Sequence, residues 1–265
     1  MTRGFEHLLL TRFNVPFDPW QRDRRAVPVR SDAWLEHRFG LFERFCLPSV
    51  RAQSLREFRW LVFFDERTPE RFRRRAEACA AKAPFELRFA AHYRELVPQV
   101  VAALRPDTRS LCTTRLDNDD ALQRGALARV QAACAEARRR EWLNLPQGYV
   151  CAADADRLGD LYAWRHEANP FVSLFEPEFA AAPLTAWCVS HEALSSVAPV
   201  RQLEGEAAWL CVVHARNLRN ALPEARAFAA LRRWLRRGLR LAEPAGPRPI
   251  ALRLADVASE FGCGA

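Results

Sequence analysis

Residues 110–120 read Ser110-Leu111-Cys112-Thr113-Thr114-Arg115-Leu116-Asp117-Asn118-Asp119-Asp120, a strand-length run that stops in three carboxylates. Leu122, Ala126, Val130, Cys134 and Ala137 then recur at helical spacing. The acidic cluster therefore falls in a loop between a strand, Ser110 to Leu116, and a helix beginning near Ala121. In an open α/β sheet, ligands bind beyond the carboxyl ends of the strands, which is where this loop would lie. Carboxylates crowded into a tight loop repel one another unless a cation or a basic group neutralises them. Hard divalent ions with oxygen ligands meet that need. The competing structural reading is that Asp119 and Asp120 cap the following helix.

Upstream of this loop, strands and helices alternate. His7 to Phe13 forms a first strand that ends at Asn14. Ser31 and Asp32 open a helix whose stripe is Leu35, Phe39, Phe42, Cys46 and Val50. Phe58 to Phe64 is an apolar strand buried on both faces, and it stops at Asp65. A helix over 70–83, a strand from Phe85 to Ala90 and a helix from Leu96 to Leu104 complete an alternating α/β half with a parallel sheet. Downstream the character changes. Trp142 to Cys151, Leu158 to Trp164, Phe171 to Phe175 and Trp209 to Val213 read as short strands of antiparallel or mixed sheet, with helices around 190–197 and 223–237. The Pro/Gly-rich break at 243–249 separates a tail, 243–265, from the main body.

The chain has 265 residues, 49% of them apolar, enough for one sizeable core, and 27% charged with 11% aromatic content, which excludes a largely disordered chain. Its 40 Lys and Arg against 32 Asp and Glu give +8, yet Lys82 is the single lysine. Arginine runs such as Arg71 to Arg75 read first as solvated helix faces. A basic nucleic-acid-binding or other non-enzymatic interaction protein is the alternative this charge suggests, although no nucleic-acid motif supports it. Eight scattered cysteines without a CxxC pair, and no signal peptide or membrane span, point to reduced thiols and a cytoplasmic location.

The order of elements resembles the nucleotide-sugar-dependent glycosyltransferases of the GT-A fold. The residues that carry this are His7 to Asn14, Ser49-Val50-Arg51-Ala52-Gln53, Trp60 to Asp65 and Arg115 to Leu122. Phe45 to Val50, Thr114 to Leu122, Phe171 to Pro177 and Trp209 to Asn217 resemble, more closely, the bacterial family called putative rhamnosyltransferases, over about residues 5–220. The resemblance implies a GT-A-like (Rossmann-like) single domain over 1–242, with a central mixed, mostly parallel sheet flanked by helices. Within it, 1–120 would be the nucleotide-binding half, 121–220 the acceptor half and 221–242 a basic amphipathic helix.

It also implies a metal-dependent transfer of a sugar, rhamnose by the family name, from a nucleotide-diphosphate sugar to a glycan or lipid-linked acceptor. Asp117 and Asp119 would hold Mg²⁺ or Mn²⁺, joined by His214 after its apolar strand. Arg12, Asn14, Asp65, Arg115, Asp117 and Arg216 would contact the donor, and His191 the acceptor. An inverting transfer needs a carboxylate base. Glu176, following a strand and preceding Pro177, is the favoured candidate, with Asp120 a further catalytic one and Asp154, Asp156 and Asp160 also open. The helix at 221–242 has Phe228, Leu231 and Leu235 opposite Arg232, Arg233, Arg236 and Arg237. It could rest on the inner membrane face or pack on the core.

Overall fold

The computed structural model describes residues 4–18, 21–23, 25–83, 85–154, 157–179, 181–214, 216–217 and 248–263. The helix expected at 223–237, and with it the basic amphipathic segment 221–242, lies outside the described residues, as does Asp156.

Strands β1 (Glu6–Arg12), β2 (Arg59–Asp65), β3 (Glu86–Ala90) and β4 (Leu111–Arg115) pair in parallel in the order β4-β1-β2-β3. Their apolar runs follow from burial on both faces. Leu8, Leu10, Leu61 and Phe63 face a core shared with Leu96 and Val100 of α4 (Leu96–Ala102). The alternate residues Leu9, Trp60, Val62 and Phe64 pack on Leu35 and Phe39 of α1 (Asp32–Leu41) and on Phe72 and Cys79 of α3 (Glu70–Lys82). A half-buried strand would have alternated polar with apolar residues; these strands cannot. Each fully buried Leu or Phe contributes about 1.5–3 kcal/mol.

The helix expected from Asp32 to Val50 is continuous but not uniform. After α1 it widens into a π-helical turn, Phe42–Cys46, and tightens again as α2 (Leu47–Arg51), with Pro48 in its first turn. Proline has no N–H to offer the carbonyl of Arg44 and its ring crowds that oxygen, so the chain opens by one residue there.

The second half differs from expectation. Trp142 to Cys151 is two strands, β6 (Glu141–Asn144) and β7 (Gln147–Asp154), in two different sheets. Pro146 sits at the break, where it cannot donate to a ladder. β6 joins β9 (Ser173–Glu176) and β10 (Val200–Gln202) to extend the first sheet to seven strands, β10-β6-β9-β4-β1-β2-β3. β9 runs antiparallel to both β4 and β6. The helix expected to start near Ala121 begins at Ala126 as α5 (Ala126–Glu136), because Ala121–Leu122 is a short strand, β5, pairing with β11 (Trp209–Val213). The result is the expected mixed α/β architecture with a mostly parallel central sheet, to which a second sheet is added in the order β12-β8-β7-β11-β5, with β8 at Arg157–Arg165 and β12 at Arg248–Arg253.

That second sheet also overturns the separate tail. Residues 248–253 form β12, antiparallel to β8 (Arg157–Arg165), and α6 (Leu254–Val257) follows. Leu254, Val257, Phe261 and Cys263 are buried with Leu210, Val212 and Phe45. The Pro/Gly-rich break runs into a strand and turn whose apolar residues are too few to fold alone, so they complete this core instead. Gly262, at φ 65°, closes the turn, and a Cβ there would stand 2.6 Å from the Pro48 carbonyl oxygen. Only glycine permits that approach and that φ together.

Candidate functional site

The carboxyl ends of β1, β2 and β4 lie along one edge of the seven-stranded sheet, with Leu10 opposite Arg115 and Arg12 opposite Phe63. The loops leaving them carry Asn14, Asp65 and the acidic cluster. A cavity of about 500 Å³ opens at this edge, bordered among others by Arg12, Asn14, Arg115, Asp117, Asp119 and His191. Six residues singled out by sequence therefore share one cavity wall. Arg30, Trp34, Arg38, Tyr93 and Trp187 also border it and were not anticipated.

The acidic loop is pinned from several sides. Asn118 Nδ2 donates to the carbonyls of Arg12 (3.0 Å) and Phe13 (2.7 Å). Ser49 Oγ accepts the Leu122 N–H (3.2 Å), and Gln53 bonds the Gln123 carbonyl (2.9 Å) and the Leu127 N–H (3.2 Å). The Ser-Val-x-x-Gln segment thus acts as a bracket that holds the loop's exit. Asp120 is turned inward: its Oδ1 accepts the Val212 N–H of β11 at 2.7 Å. Burial, reinforced by Asp119 and Asp117, pushes its carboxyl well above the usual carboxylate range. Asp120 joins the two sheets and does not border the cavity.

Asp119 is buried and meets Arg38 of α1 as a fork: Nη1 to Oδ2 at 2.7 Å and Nη2 to Oδ1 at 3.2 Å. His214 Nε2 lies 3.0 Å from Oδ2, and Asn217 Nδ2 3.4 Å from it. Burial alone would raise this carboxyl, but the Arg38 charge and the His214 hydrogen bond outweigh it and hold the group well below its ordinary value. The histidine's tautomer follows from its neighbours. His214 Nδ1 faces the Arg216 backbone N–H (3.2 Å), which can only donate, so Nδ1 accepts, while Nε2 stands between Asp119 Oδ2 and Arg38 Nη1, the latter 3.2 Å away. His37 Nε2, 3.0 Å from the same Nδ1, is then also a donor. Burial first, then the charges of His214, Arg216 and Arg38, push His37 down to about 4.

Arg12 and Arg115 stand at the ends of adjacent strands. Burial lowers both guanidinium pKa values, and Asp117 is the carboxylate that opposes this for each. Arg12 also lies over the rings of Phe17 (5.6 Å) and Tyr93 (5.3 Å). Asp117 itself is exposed. Asp65 is buried just behind the wall: its Oδ1 caps the turn by accepting the Arg67 N–H (2.8 Å), and Oδ2 is 3.6 Å from Arg30 Nε. Asn14 ties that turn to β1, accepting the Asp65 N–H at 3.0 Å. Arg216 turns to the Ala33 carbonyl (2.6 Å). His191 Nδ1 is 2.8 Å from the Ala168 carbonyl, an oxygen that only accepts, so Nδ1 is the donor and Nε2 is the nitrogen left to accept.

Glu176 is not in this site. β9 runs antiparallel to β4 and Glu176 pairs with Leu111, at the opposite edge, about 20 Å of strand from Asp117. It is buried in a salt bridge with Arg140, whose Nη2 is 2.7 Å from Oε1, and it accepts the Leu184 N–H at 3.2 Å. A residue after a strand lies at the ligand edge only when the strand runs with the others, and this one does not.

As arranged, the described residues do not fit a divalent ion. Both Asp119 oxygens are engaged, the His214 lone pair is taken, and no group of three or more His, Cys, Asp or Glu able to hold a metal occurs among the described residues. Arg38 supplies the countercharge the acidic loop requires. The sequence did contain a signal for it: Arg38 interrupts the apolar stripe Trp34, Leu35, Phe39 on a buried helix face, where a cation needs a partner.

Residues 6–226 match the model of the family described as "Putative rhamnosyl transferase". No curated protein matches the chain. Among solved structures, S. aureus TarS is similar at 10% identity with a TM-score of 0.44, over 79% of this chain and 37% of that one. A structure of S. aureus TarS 1–349 in complex with UDP is similar at 9% identity with a TM-score of 0.41, over 79% and 61% of the two chains. The chain thus spans less than two thirds of the length of either. A 4-diphosphocytidyl-2C-methyl-D-erythritol synthase from Anaerococcus prevotii is similar at 12% identity with a TM-score of 0.34, over 88% and 97%.

Proposed function

Since this chain belongs to the family described as "Putative rhamnosyl transferase", we propose that it is a GT-A-like glycosyltransferase whose cavity binds a nucleoside diphosphate sugar and transfers the sugar to an acceptor hydroxyl. The observation that carries the reading is the convergence of Arg12, Arg115, Asp117 and His191 on one cavity at the carboxyl ends of β1 and β4. Two half-buried arginines on adjacent strands favour a ligand with more than one negative charge, as a diphosphate has. Tyr93 and Trp187 offer flat apolar surface for a base or a sugar face.

In the reaction, the bond between the anomeric carbon and the diphosphate oxygen breaks and the acceptor oxygen bonds to that carbon. The charge left on the diphosphate is met by Arg12 and Arg115, fixed in place before the reaction begins. The acceptor's proton goes to a base bordering the same cavity. His191 is suited to this because the Ala168 carbonyl fixes its tautomer and leaves Nε2 able to accept. Rhamnose as the sugar, a glycan or lipid-linked acceptor, and a cytoplasmic location at the inner membrane face belong to the same reading. No helix among the described residues is long and apolar enough to cross a membrane.

A screen of UDP-, dTDP- and GDP-sugars, read as release of the nucleoside diphosphate, tests the reading. One donor should be turned over, and His191→Gln should lower kcat by about 10²–10⁴-fold while leaving nucleotide affinity in place. If no donor is turned over and no nucleoside diphosphate stabilises the protein in thermal-shift assays, the proposal fails.

A further inference from the structure

We infer that the donor diphosphate is held by direct contact with N–H groups of the protein, with Arg38 standing as the built-in cation where a divalent ion would be expected beside the Asp-x-Asp loop. The inference rests on the reading of the cavity as a nucleotide-sugar site.

Three observations carry it. The first is that both Asp119 oxygens are already engaged by side chains. Arg38 takes both in a planar fork, a geometry a guanidinium fits and an ammonium does not. His214 and Asn217 converge on the same Oδ2. For a metal to enter, Arg38 would have to leave a buried carboxylate and His214 would have to exchange tautomers and give up the Arg216 N–H.

The second observation is a pair of donors without partners. Arg38 Nε and Trp34 Nε1 are both buried and make no hydrogen bond. They belong to residues one helical turn apart, both bordering the cavity, with the guanidinium 5.3 Å from the indole centroid. Trp34 is only 2% exposed and Arg38 9%. Buried donors are rarely left unmatched in folded proteins, and an acceptor-rich ligand between them would satisfy both. A phosphate oxygen is such an acceptor; a metal ion is not.

The third is the charge around Asp117. Arg12, Arg30, Arg38 and Arg115 border the cavity against the carboxylates of Asp117, Asp119 and Glu192. Four cations against three anions leave positive charge for a ligand. Arg38 then has two roles through different atoms: its terminal nitrogens fix Asp119, and Nε remains for the ligand.

Calorimetric titration of the full chain with UDP, dTDP, GDP and CDP, once in EDTA and once with Mg²⁺ or Mn²⁺, tests this. At least one nucleotide should bind in EDTA with a Kd within about threefold of the metal-containing value. In EDTA, Trp34→Phe, which keeps the ring but removes the donor, should weaken binding about three- to tenfold. Arg38→Lys, which keeps the charge on Asp119 but removes the fork and Nε–H, should weaken it about ten- to a hundredfold. Arg115→Ala provides a third variant whose folding does not depend on the Asp119 pair, with a similar loss expected. Binding that appears only with a divalent ion would overturn the inference and leave the donor site standing. Unchanged affinity in all three variants would overturn it as well. No binding of any of the four nucleotides in either condition would overturn both the inference and the reading beneath it.

Discussion

Two buried carboxylates sit at opposite edges of the same sheet, each gripped by an arginine: Asp119 by Arg38, and Glu176 by Arg140. As ion pairs they are alike in distance, and their surroundings separate them. Around Asp119, both partners are buried, two N–H donors lack acceptors and further arginines converge on a cavity of about 500 Å³. Around Glu176, Arg140 is 44% exposed and the carboxylate is saturated by it and by the Leu184 N–H. The larger concavity, a groove of about 830 Å³ bordered by Phe5, Ala128, Phe175 and Pro177, lies on the Glu176 side. Size therefore points to one edge and chemistry to the other. Converging polar groups with unmet demands, in a place where the topology gathers loop ends, identify a site better than volume does.

The comparison can be broken by mutation. The largest effect is expected from Arg38→Ala, which strands Asp119 as a buried unpaired carboxylate. It should lower the unfolding free energy by about 3–5 kcal/mol, read from urea midpoints. Next comes Arg115→Ala, which should leave the midpoint nearly unchanged but cut kcat/KM by about 10²–10³-fold, the usual loss when a preorganised charge at a reacting group is removed. At the other edge Arg140→Ala should cost only about 1 kcal/mol, because water reaches the half-exposed side and replaces the lost partner. Glu176→Gln should change kcat/KM by less than about threefold. A hundredfold loss in Glu176→Gln would mean that the two edges are not as different as their geometry.

The smallest expected effect is a pH dependence. His37 is held neutral, its value pushed down to about 4 from 6.5, so the unfolded chain takes up this proton before the native one does. Its contribution to stability is complete above about pH 6.5 and falls as the pH drops from there toward about 4. His166, also lowered by burial and then by His191, adds in the same direction. His37→Leu should flatten part of the slope in urea midpoints between pH 7 and pH 4.5; an unchanged slope would remove His37 from this account.

The parallel half of the fold is legible in sequence because strands buried on both faces must be apolar throughout, as Trp60 to Phe64 are. The second half is less legible for identifiable reasons. A proline at 146 divides what hydrophobicity joins. A strand's direction, which decides where Glu176 points, leaves no mark on its residues. The segment 248–263 has too little apolar surface to announce that it completes a core. The site divides in the same way. Arg12, Asn14, Arg115, Asp117 and Asp119 sit at or just past strand ends and were within reach, as was His191 at the start of a helical turn. Arg38 and Trp34 approach from a helix distant in sequence, Arg38 standing 81 residues before Asp119, and an arginine in a helix reads first as a solvated one. Asp119 looked like a ligand because its partner was not visible; the charge rule that called for a cation was met by a side chain.

The docking of residues 248–263 has a consequence for how the protein is made. The Arg124 N–H, just past the acidic loop, is held by the Glu260 carbonyl at 2.8 Å, and Gly262 seats against Pro48 beneath the same loop. During translation the parallel strands and their arginines emerge first, but this brace does not exist until residue 263 has cleared the ribosomal exit tunnel. A nascent chain stalled or cleaved before Arg248 would carry every residue of the cavity wall described here and still lack the strut that sets the loop's height.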